Sequence, residues 1–235
     1  MATIDLLSHT AALSALTREQ LGPLADSATV TSYQRGGALW HAGELPQGFV
    51  IVQKGLVKLV RHANRNRAIC GLFGPTESIG DLSLLQRVPY TTDAVAVTDT
   101  VATVTLPRHL LMETMAREPK LFLSLISAIE QASESLLDKI DVLSAGSVEA
   151  RLATLLLKLN ARFGDDFDDG TSEIPVALSR RDLAELVATS LETAIRVMSR
   201  WEREGLLKTT RRGFTLQDVG KLSLLSGHAP ALAAE

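Results

Sequence analysis

Residues 179–203, SRRDLAELVATSLETAIRVMSRWER, decide how the C-terminal part of this chain folds. Ser179 precedes a short run of helix-forming residues with Asp182 at the third position, a variant of the capping box. Ser190 is a second N-cap, and Ala188-Thr189 separates the two helices that the pattern predicts. Two capped helices joined by a tight turn are typical of a helix-turn-helix.

The second predicted helix has two faces of different chemistry. One face is expected to pack into the core because its apolar residues recur at helical spacing: Ala194, Val197, Met198 and Trp201. The other face is expected to be exposed: Leu191, Glu192, Ile195, Arg196 and Ser199.

The exposed face carries side chains that can recognise base pairs. Arg196 can donate two hydrogen bonds to guanine, and Glu192 can accept one from the amino group of cytosine. An ion pair between these two residues, four positions apart, is the alternative. Ile195 favours base reading, because an exposed apolar side chain suits a thymine methyl group. We expect Leu191 to complete the base-reading set.

A basic hairpin follows the helix. Residues 208–216 are predicted to form the wing of a winged helix, and residues 179–216 carry eight Lys/Arg against five Asp/Glu in a chain of net charge −3. Phosphate contacts are expected where this local positive charge lies. The candidate DNA-backbone contacts are Arg180, Ser190, Thr193, Ser199, Arg200, Arg211 and Arg212.

The N-terminal half has a different pattern. Residues 9–27 predict short helices, and residues 29–107 contain short Val-, Ile- and Thr-rich runs punctuated by glycine, which predict an antiparallel barrel or jelly roll. Strands are expected at 49–52, 57–60, 94–97 and 101–104. The fold class is therefore α+β, with an effector domain at 1–118, a dimerisation helix at 119–145 and a winged-helix domain at 146–235.

Pro119 opens the long helix, whose apolar seam predicts a coiled-coil homodimer. A helix lying on its own barrel is the alternative. The residues assigned to the dimer interface are Phe122, Leu125, Ile129, Ser133, Leu136, Ile140 and Leu143. Gly146-Ser147 predicts a break, residues 148–163 a further helix, and residues 164–173 an acidic loop.

The motifs, the cysteine count and the hydrophobic segments of the sequence argue against several classes of protein. No catalytic motif is present, so an enzyme is not expected. Cys70 is the only cysteine, which excludes an intramolecular disulfide, an iron–sulfur cluster and a cysteine-rich zinc site. No signal peptide or membrane span is predicted, so a cytoplasmic protein without membrane contact is expected.

The order of these parts resembles the Crp–Fnr family (cyclic-AMP receptor protein and fumarate-nitrate regulator) over about residues 10–220. The most specific pieces are residues 190–196 and 78–85. The resemblance implies a homodimer that binds double-stranded DNA at an inverted repeat with TGA-like half-sites, Glu192 and Arg196 reading a G·C pair. It also implies a contact with RNA polymerase near the acidic residues 165–169. Leu191 and Ile195 depart from the family pattern, which leaves the flanking bases open.

The segment 78–93 resembles the family's phosphate-binding cassette with its key residues changed. Gly80 is kept, Asp81 replaces a glutamate, and Thr91-Thr92 replace the Arg-Ser pair that holds the cyclic phosphate. Asp93 adds a negative charge, and Leu136-Leu137 replace an adenine-binding hydroxyl pair. Cyclic AMP is therefore not the expected ligand. An effector cavity would involve Gly80, Asp81, Leu82, Thr91, Thr92, Leu136 and Leu137.

The sequence leaves open which other ligand or signal controls the protein. Haem would need ligands from the available histidines and cysteine: His41, His62, Cys70 and His109. The thiol of Cys70 is either a redox switch or a core residue. The basic hairpin 58–67 is either a solvated turn or a site for an anionic ligand. Regulation without any ligand, or a winged helix that contacts protein rather than DNA, are further alternatives.

Overall fold

The computed structural model describes residues 2–63, 66–167 and 169–227. The chain divides into two compact units, Met1–Leu136 and Leu137–Glu235, and the division falls inside one long helix. The architecture is α+β, as the sequence predicts.

The first unit contains helices and strands in mixed order. Its helical segments are α1 (Thr3–His9), a 3-10 turn (Ala11–Leu13), α2 (Arg18–Asp26), α3 (Asp81–Gln86), α4 (Arg108–Arg117) and the start of α5 (Lys120–Ser144). Its strands are β1 (Thr29–Gln34), β2 (Ala38–Trp40), β3 (Gly48–Lys54), β4 (Val57–Ala63), β5 (Asn66–Phe73), β6 (Ser78–Ile79), β7 (Asp93–Ala96) and β8 (Thr100–Pro107).

The strands of the first unit pair into two antiparallel sheets, in the orders β1-β8-β3-β6 and β2-β7-β4-β5. Val52 and Val101 from the first sheet and Val57 and Ala94 from the second are buried in one hydrophobic cluster. Alternating residues thus fill the space between two sheets, as in a jelly roll. The four strands expected from the Val-rich runs are confirmed, except that β7 ends before Val97.

The helices of the first unit cover one sheet. Leu6 and Leu21 from the N-terminal helices, Leu111 from α4 and Leu125 from α5 are buried around Phe49 of β3. The N-terminal helices predicted in residues 9–27 are confirmed, with α1 starting earlier. The first turns of α5 therefore contribute side chains to the core of their own chain.

The second unit contains the end of α5, then α6 (Val148–Phe163), β9 (Asp165–Asp166), β10 (Ser172–Ile174), α7 (Arg180–Leu186), α8 (Leu191–Arg203), β11 (Leu207–Thr209), β12 (Phe214–Leu216) and α9 (Val219–Leu225). Its strands form a sheet in the order β11-β12-β10-β9. The predicted bounds of α6 and the predicted β11–β12 hairpin are confirmed. Gly146 has a φ of +78°, and the Ser147 hydroxyl accepts from the Ala150 amide, which explains the break before α6.

The prediction of an acidic loop at residues 164–173 is wrong in part, because this segment contains β9 and the start of β10. Ser172 pairs with Asp166, and Glu173 with Asp165. The side-chain amide of Asn160 on α6 donates to Asp166 Oδ1 at 2.9 Å, which ties the hairpin to the helix. Position 168 lies outside the described residues.

Candidate nucleic-acid interface and ligand cavity

Side-chain caps begin both helices of the helix-turn-helix. The Ser179 hydroxyl accepts from the Asp182 amide at 3.1 Å, and Asp182 Oδ2 accepts from the Ser179 amide at 3.0 Å. The Ser190 hydroxyl accepts from the Thr193 amide at 3.1 Å. The two caps predicted from the sequence are confirmed, and each satisfies amide groups that the first helical turn leaves without partners.

The turn between the two helices is held by a side chain from another helix, a contact that the sequence did not reveal. Ala188 adopts a φ of +51°, in the region where L-residues are disfavoured. The Arg151 guanidinium on α6 donates to Val187 O at 2.8 Å and to Ala188 O at 3.4 Å. Arg151 therefore holds the turn from a helix far away in the sequence, where no local pattern indicates it.

The predicted division of α8 into two faces is confirmed. The inward residues are all buried: Ala194, Val197, Met198 and Trp201. On the other face, Leu191 is 38% exposed and Ile195 is 43% exposed, and Glu192, Arg196 and Ser199 are exposed as well. Two large apolar side chains on an exposed helix face offer contact area for a partner.

Glu192 and Arg196 do not pair with each other. Within the described part of the chain, neither side chain forms a hydrogen bond or ion pair. The alternative interpretation, an i,i+4 ion pair, is therefore not what the structure has. Both charged groups keep their full hydrogen-bonding capacity for a partner molecule.

Two of the predicted backbone-contacting arginines are bound within the second unit. Arg180 Nη2 lies 2.9 Å from Glu202 Oε1 and 2.7 Å from Thr209 Oγ1, and Thr209 also donates to Glu202. Arg200 Nη2 lies 2.5 Å from Glu149 Oε2 on α6. These contacts join α7, α8, β11 and α6, and they give both guanidinium groups an acidic partner.

Four of the remaining candidate phosphate contacts lie on the hairpin tip and at the start of α8, and the fifth, Ser199, is exposed in the C-terminal half of α8. Arg211 and Arg212 are exposed between β11 and β12. The Thr210 hydroxyl accepts from the amides of Arg212 and Gly213 at 3.3 and 3.1 Å, which defines the turn. Ser190 and Thr193 share a hydrogen bond between their hydroxyls at 2.9 Å.

The first unit contains a cavity of about 340 Å³ beside α3 and the segment 90–92. Six of the seven predicted effector residues line it: Gly80, Asp81, Leu82, Thr91, Thr92 and Leu136. The seventh, Leu137, belongs to the second unit. On α5 the lining comes from Ile129, Ser133, Ser135 and Leu136.

An aromatic pair forms part of the cavity wall and was not predicted. The rings of Trp40 and Tyr90 are stacked with centroids 4.1 Å apart, and Trp40 Nε1 donates to Thr92 O at 3.0 Å. Gly80 has a φ of +79°, and a Cβ there would lie 2.6 Å from Tyr90 Cε1. The retained glycine is thus explained by its close approach to an aromatic ring.

Asp81 is the acidic group of this cavity. Its Oδ2 accepts from the Ser78 hydroxyl at 2.6 Å, whereas Oδ1 is enclosed and has no partner among the described residues. Burial raises the pKa of Asp81 to about 6, although hydrogen bonds from Ser78 and its own amide oppose this effect. Burial and the nearby carboxylates of Asp81 and Glu44 raise the pKa of Tyr90 to about 12.

Asp93 does not add its charge to the cavity, contrary to the prediction. Its carboxylate accepts from the Ala42 amide at 2.9 Å and lies 3.0 Å from His62 Nε2 and 3.8 Å from His41 Nδ1. Burial would raise the pKa of Asp93, but the Ala42 amide and His62 outweigh it, so the pKa lies below its ordinary value.

The structure also shows where the residues considered for other ligands lie: the histidines, Cys70 and the basic hairpin 58–67. No group of three metal-binding side chains occurs within the described ranges. Cys70 and Arg61 both line the cavity, so part of the basic hairpin 58–67 faces it, while Arg65 lies outside the described residues. His109 lies on α4.

The exposed seam of α5 differs from the predicted one at one position. Leu125 is fully buried in the core of the first unit, so its assignment to the dimer interface is wrong, whereas Ile126 is 45% exposed. With Ile126 in place of Leu125, the apolar seam recurs at alternating spacings of four and three residues: Phe122, Ile126, Ile129, Ser133, Leu136, Ile140 and Leu143. That alternation is the heptad pattern of a coiled coil.

No helix in the described part of the chain is both long and apolar enough to cross a membrane.

Comparison with known proteins agrees with this architecture. Residues 30–118 match the cyclic nucleotide-binding domain, and residues 150–225 match the Crp-like helix-turn-helix domain. The chain is 30% identical to the cyclic AMP receptor protein of Thermus thermophilus over 203 residues, covering 86% of this chain and 88% of that protein. It is 26% identical to the CRP-like cAMP-activated global transcriptional regulator of Mycobacterium tuberculosis, covering 90% and 91%.

A solved structure shows the same fold. FixK2 from Bradyrhizobium japonicum superposes with a TM-score of 0.70 at 22% identity, covering 87% of this chain and 99% of that one. A β-rich N-terminal domain, a long helix and a C-terminal helix-turn-helix define a DNA-binding transcription regulator. The chain belongs to the Crp–Fnr family.

The cyclic nucleotide that this family suggests does not fit the cavity of this chain. Thr91 and Thr92 offer no positive charge to a phosphate, and Asp81 adds a carboxyl group to the same wall. Among the described lining residues, Arg61 on β4 is the only Lys, Arg or His side chain. Transferring a phosphate anion from water into such a site is unfavourable, because its charge would be poorly compensated.

Proposed function

We propose that this protein is a homodimeric regulator that binds an inverted repeat with TGA-like half-sites and inserts α8 into the major groove. The observation that carries the proposal is that the charged side chains of Glu192 and Arg196 are exposed and have no internal partner within the described chain. Both are exposed on one face of α8, and neither is paired within the described chain. Ile195 lies between them and is available for a thymine methyl group.

The dimer belongs to the same proposal. One recognition helix reads one half-site, so two half-sites require two copies of the chain about one helical turn of DNA apart. The exposed heptad seam of α5 supplies an apolar surface for a second copy. The regulator would act in the cytoplasm, and the acidic β9–β10 hairpin is the proposed contact with RNA polymerase.

The test is fluorescence anisotropy with a duplex that carries the inverted repeat and a second duplex in which the central G·C pairs are replaced. We expect Glu192→Ala and Arg196→Ala each to reduce discrimination between the duplexes by ~1–3 kcal/mol. Arg203→Ala is the matched control, because this arginine lies on the same helix and its Nε donates to Ser199 O at 3.3 Å. It should leave discrimination unchanged.

Two results would contradict the proposal. Unchanged discrimination in both variants would show that α8 does not read these bases. A wild-type protein without preference for the inverted repeat would favour the alternative that the winged helix contacts another protein.

A further inference from the structure

The cavity of the first unit has a lining that suits a different kind of ligand from a cyclic nucleotide. Most of its large side chains are apolar, including Leu59, Phe73, Ile79 and Leu82. Trp40 adds part of a stacked aromatic pair, which offers a flat apolar surface. The volume of about 340 Å³ lies at the lower end of the range for small-molecule sites.

The charges around the cavity do not favour a charged ligand of either sign. Arg61 and Asp81 are the charged side chains among its described lining residues, one of each sign. Arg61 is exposed and therefore hydrated, whereas the carboxyl group of Asp81 is enclosed. An anion would face the carboxyl group, and a cation would face the arginine. An uncharged ligand avoids both costs.

Asp81 also has hydrogen-bonding capacity that the protein does not use. Ser78 donates to Oδ2, but Oδ1 has no partner in the described chain. Buried polar atoms without partners are uncommon in folded proteins, and each one calls for an explanation. A hydroxyl or N–H group of a bound molecule would supply the missing partner once the carboxyl group turns toward the cavity.

We propose that the cavity binds an uncharged, mainly apolar small molecule that donates a hydrogen bond to the Asp81 carboxyl group. This inference rests on the proposed function in one respect, since the molecule would be the effector of the regulator. Binding of the molecule itself is independent of whether α8 reads the inverted repeat.

The test uses two probes that differ in one hydrogen-bond donor. 1-Naphthol has a hydroxyl group, and 1-methoxynaphthalene has the same bicyclic body without the donor. We expect equilibrium dialysis near neutral pH to show 1-naphthol binding about tenfold more tightly, the ratio for about 1.4 kcal/mol. Cyclic AMP should not bind at the same concentrations.

Three variants test whether Asp81 causes the preference for 1-naphthol over 1-methoxynaphthalene. Asp81→Leu, of similar size but without an acceptor, should bring the two affinities close together while both probes still bind. Arg61→Gln should leave the ratio unchanged. Ser83→Phe, which adds a ring to the cavity wall, should weaken both probes together.

Several outcomes would overturn the inference. These are equal affinities in the wild-type protein, a preference for 1-naphthol that survives Asp81→Leu, no binding of either probe at millimolar concentration, or binding of cyclic AMP. 1-Naphthoate binding that depends on Arg61 would indicate an anionic ligand instead. DNA binding to the inverted repeat is measured on the same samples, so a failure of this inference is distinguished from a failure of the proposed function.

Discussion

Gly80 and Tyr90 approach each other more closely than any side chain at position 80 would allow. A Cβ on Gly80 would lie 2.6 Å from Tyr90 Cε1 and 3.4 Å from Trp40 Cζ2. The backbone before α3 is therefore pressed against the stacked aromatic pair. This contact sets the position of one wall of the cavity.

Gly80→Ala should destabilise the first unit through two separate effects. The φ of +79° costs an L-residue about 1–2 kcal/mol, and the contact with Tyr90 adds about 1–3 kcal/mol of overpacking. Gly36→Ala is the matched control, because Gly36 has a φ of +80° and no atom within 4 Å of the added Cβ. Urea denaturation followed by Trp40 fluorescence in a Trp201→Phe background measures both. Equal losses for the two variants would show that the contact with Tyr90 is unimportant.

Asp81 should make the stability of the first unit depend on pH. Its pKa is about 6 in the folded chain against 3.8 ordinarily, so the folded state holds the proton more tightly. Stability is then lost as the pH rises from about 4 to 6, by about 3 kcal/mol at 1.4 kcal/mol for each pH unit of difference.

Asp81→Asn removes this titration and tests the sign of the effect. The variant should gain stability relative to wild type as the pH rises through the same interval, with no further gain above it. Ser78→Ala removes a hydrogen bond that lowers the pKa of Asp81, so it should extend the interval to higher pH. The free energy of unfolding from urea titrations across this interval is the measurement, and a difference independent of pH would contradict the prediction.

The corrected seam of α5 predicts different effects for two apolar residues of this helix, Ile140 and Leu125. Ile140→Glu places a charge on an exposed seam position and should raise the dimer dissociation constant by about 100-fold or more. Leu125→Ala should instead lower folding stability by about 2–5 kcal/mol, because Leu125 is fully buried in its own unit.

Sedimentation equilibrium measures the first effect and urea denaturation the second. Glu134→Gln, at an exposed polar position of the same helix, is the control for both. A dimer that persists in Ile140→Glu with an unchanged dissociation constant would place the interface elsewhere.

Arg211 and Arg180 should differ in their effects on DNA binding. Arg211→Ala should weaken binding to all sequences and reduce the slope of log affinity against log salt by about 1. Arg180 donates to Glu202 and Thr209, so Arg180→Ala should chiefly destabilise the second unit, by roughly 1–3 kcal/mol. Salt titrations of binding and thermal unfolding separate the two roles. A reduction of the salt slope by about 1 in Arg180→Ala, as large as that expected for Arg211→Ala, would mean that the internal contacts of Arg180 break on binding DNA.

Local sequence patterns were sufficient to predict those features that depend on a single helix or a single hairpin. Ser179 and Ser190 marked the starts of α7 and α8, because a cap depends on residues three positions away. The buried and exposed faces of α8 followed from helical periodicity alone. The glycine-punctuated strands and the basic hairpin were likewise predicted from short segments.

Periodicity was not sufficient for α5, because this helix has more than one apolar face. Leu121, Leu125 and Ala128 recur at helical spacing just as Phe122, Ile126 and Ile129 do. Only the packed core shows that the first set faces the chain's own sheet.

The sequence by itself determined the order of the parts, the class of fold and the side chains on the exposed face of α8. The tertiary structure decided which charges are already paired: Arg180 and Arg200 have acidic partners, whereas Glu192 and Arg196 form no ion pair within the described residues. It also decided that Asp93 binds His62 and does not add its charge to the cavity. The physical reason is that these contacts join residues from about 20 to 50 positions apart, and their free energies depend on burial and distance in the folded chain.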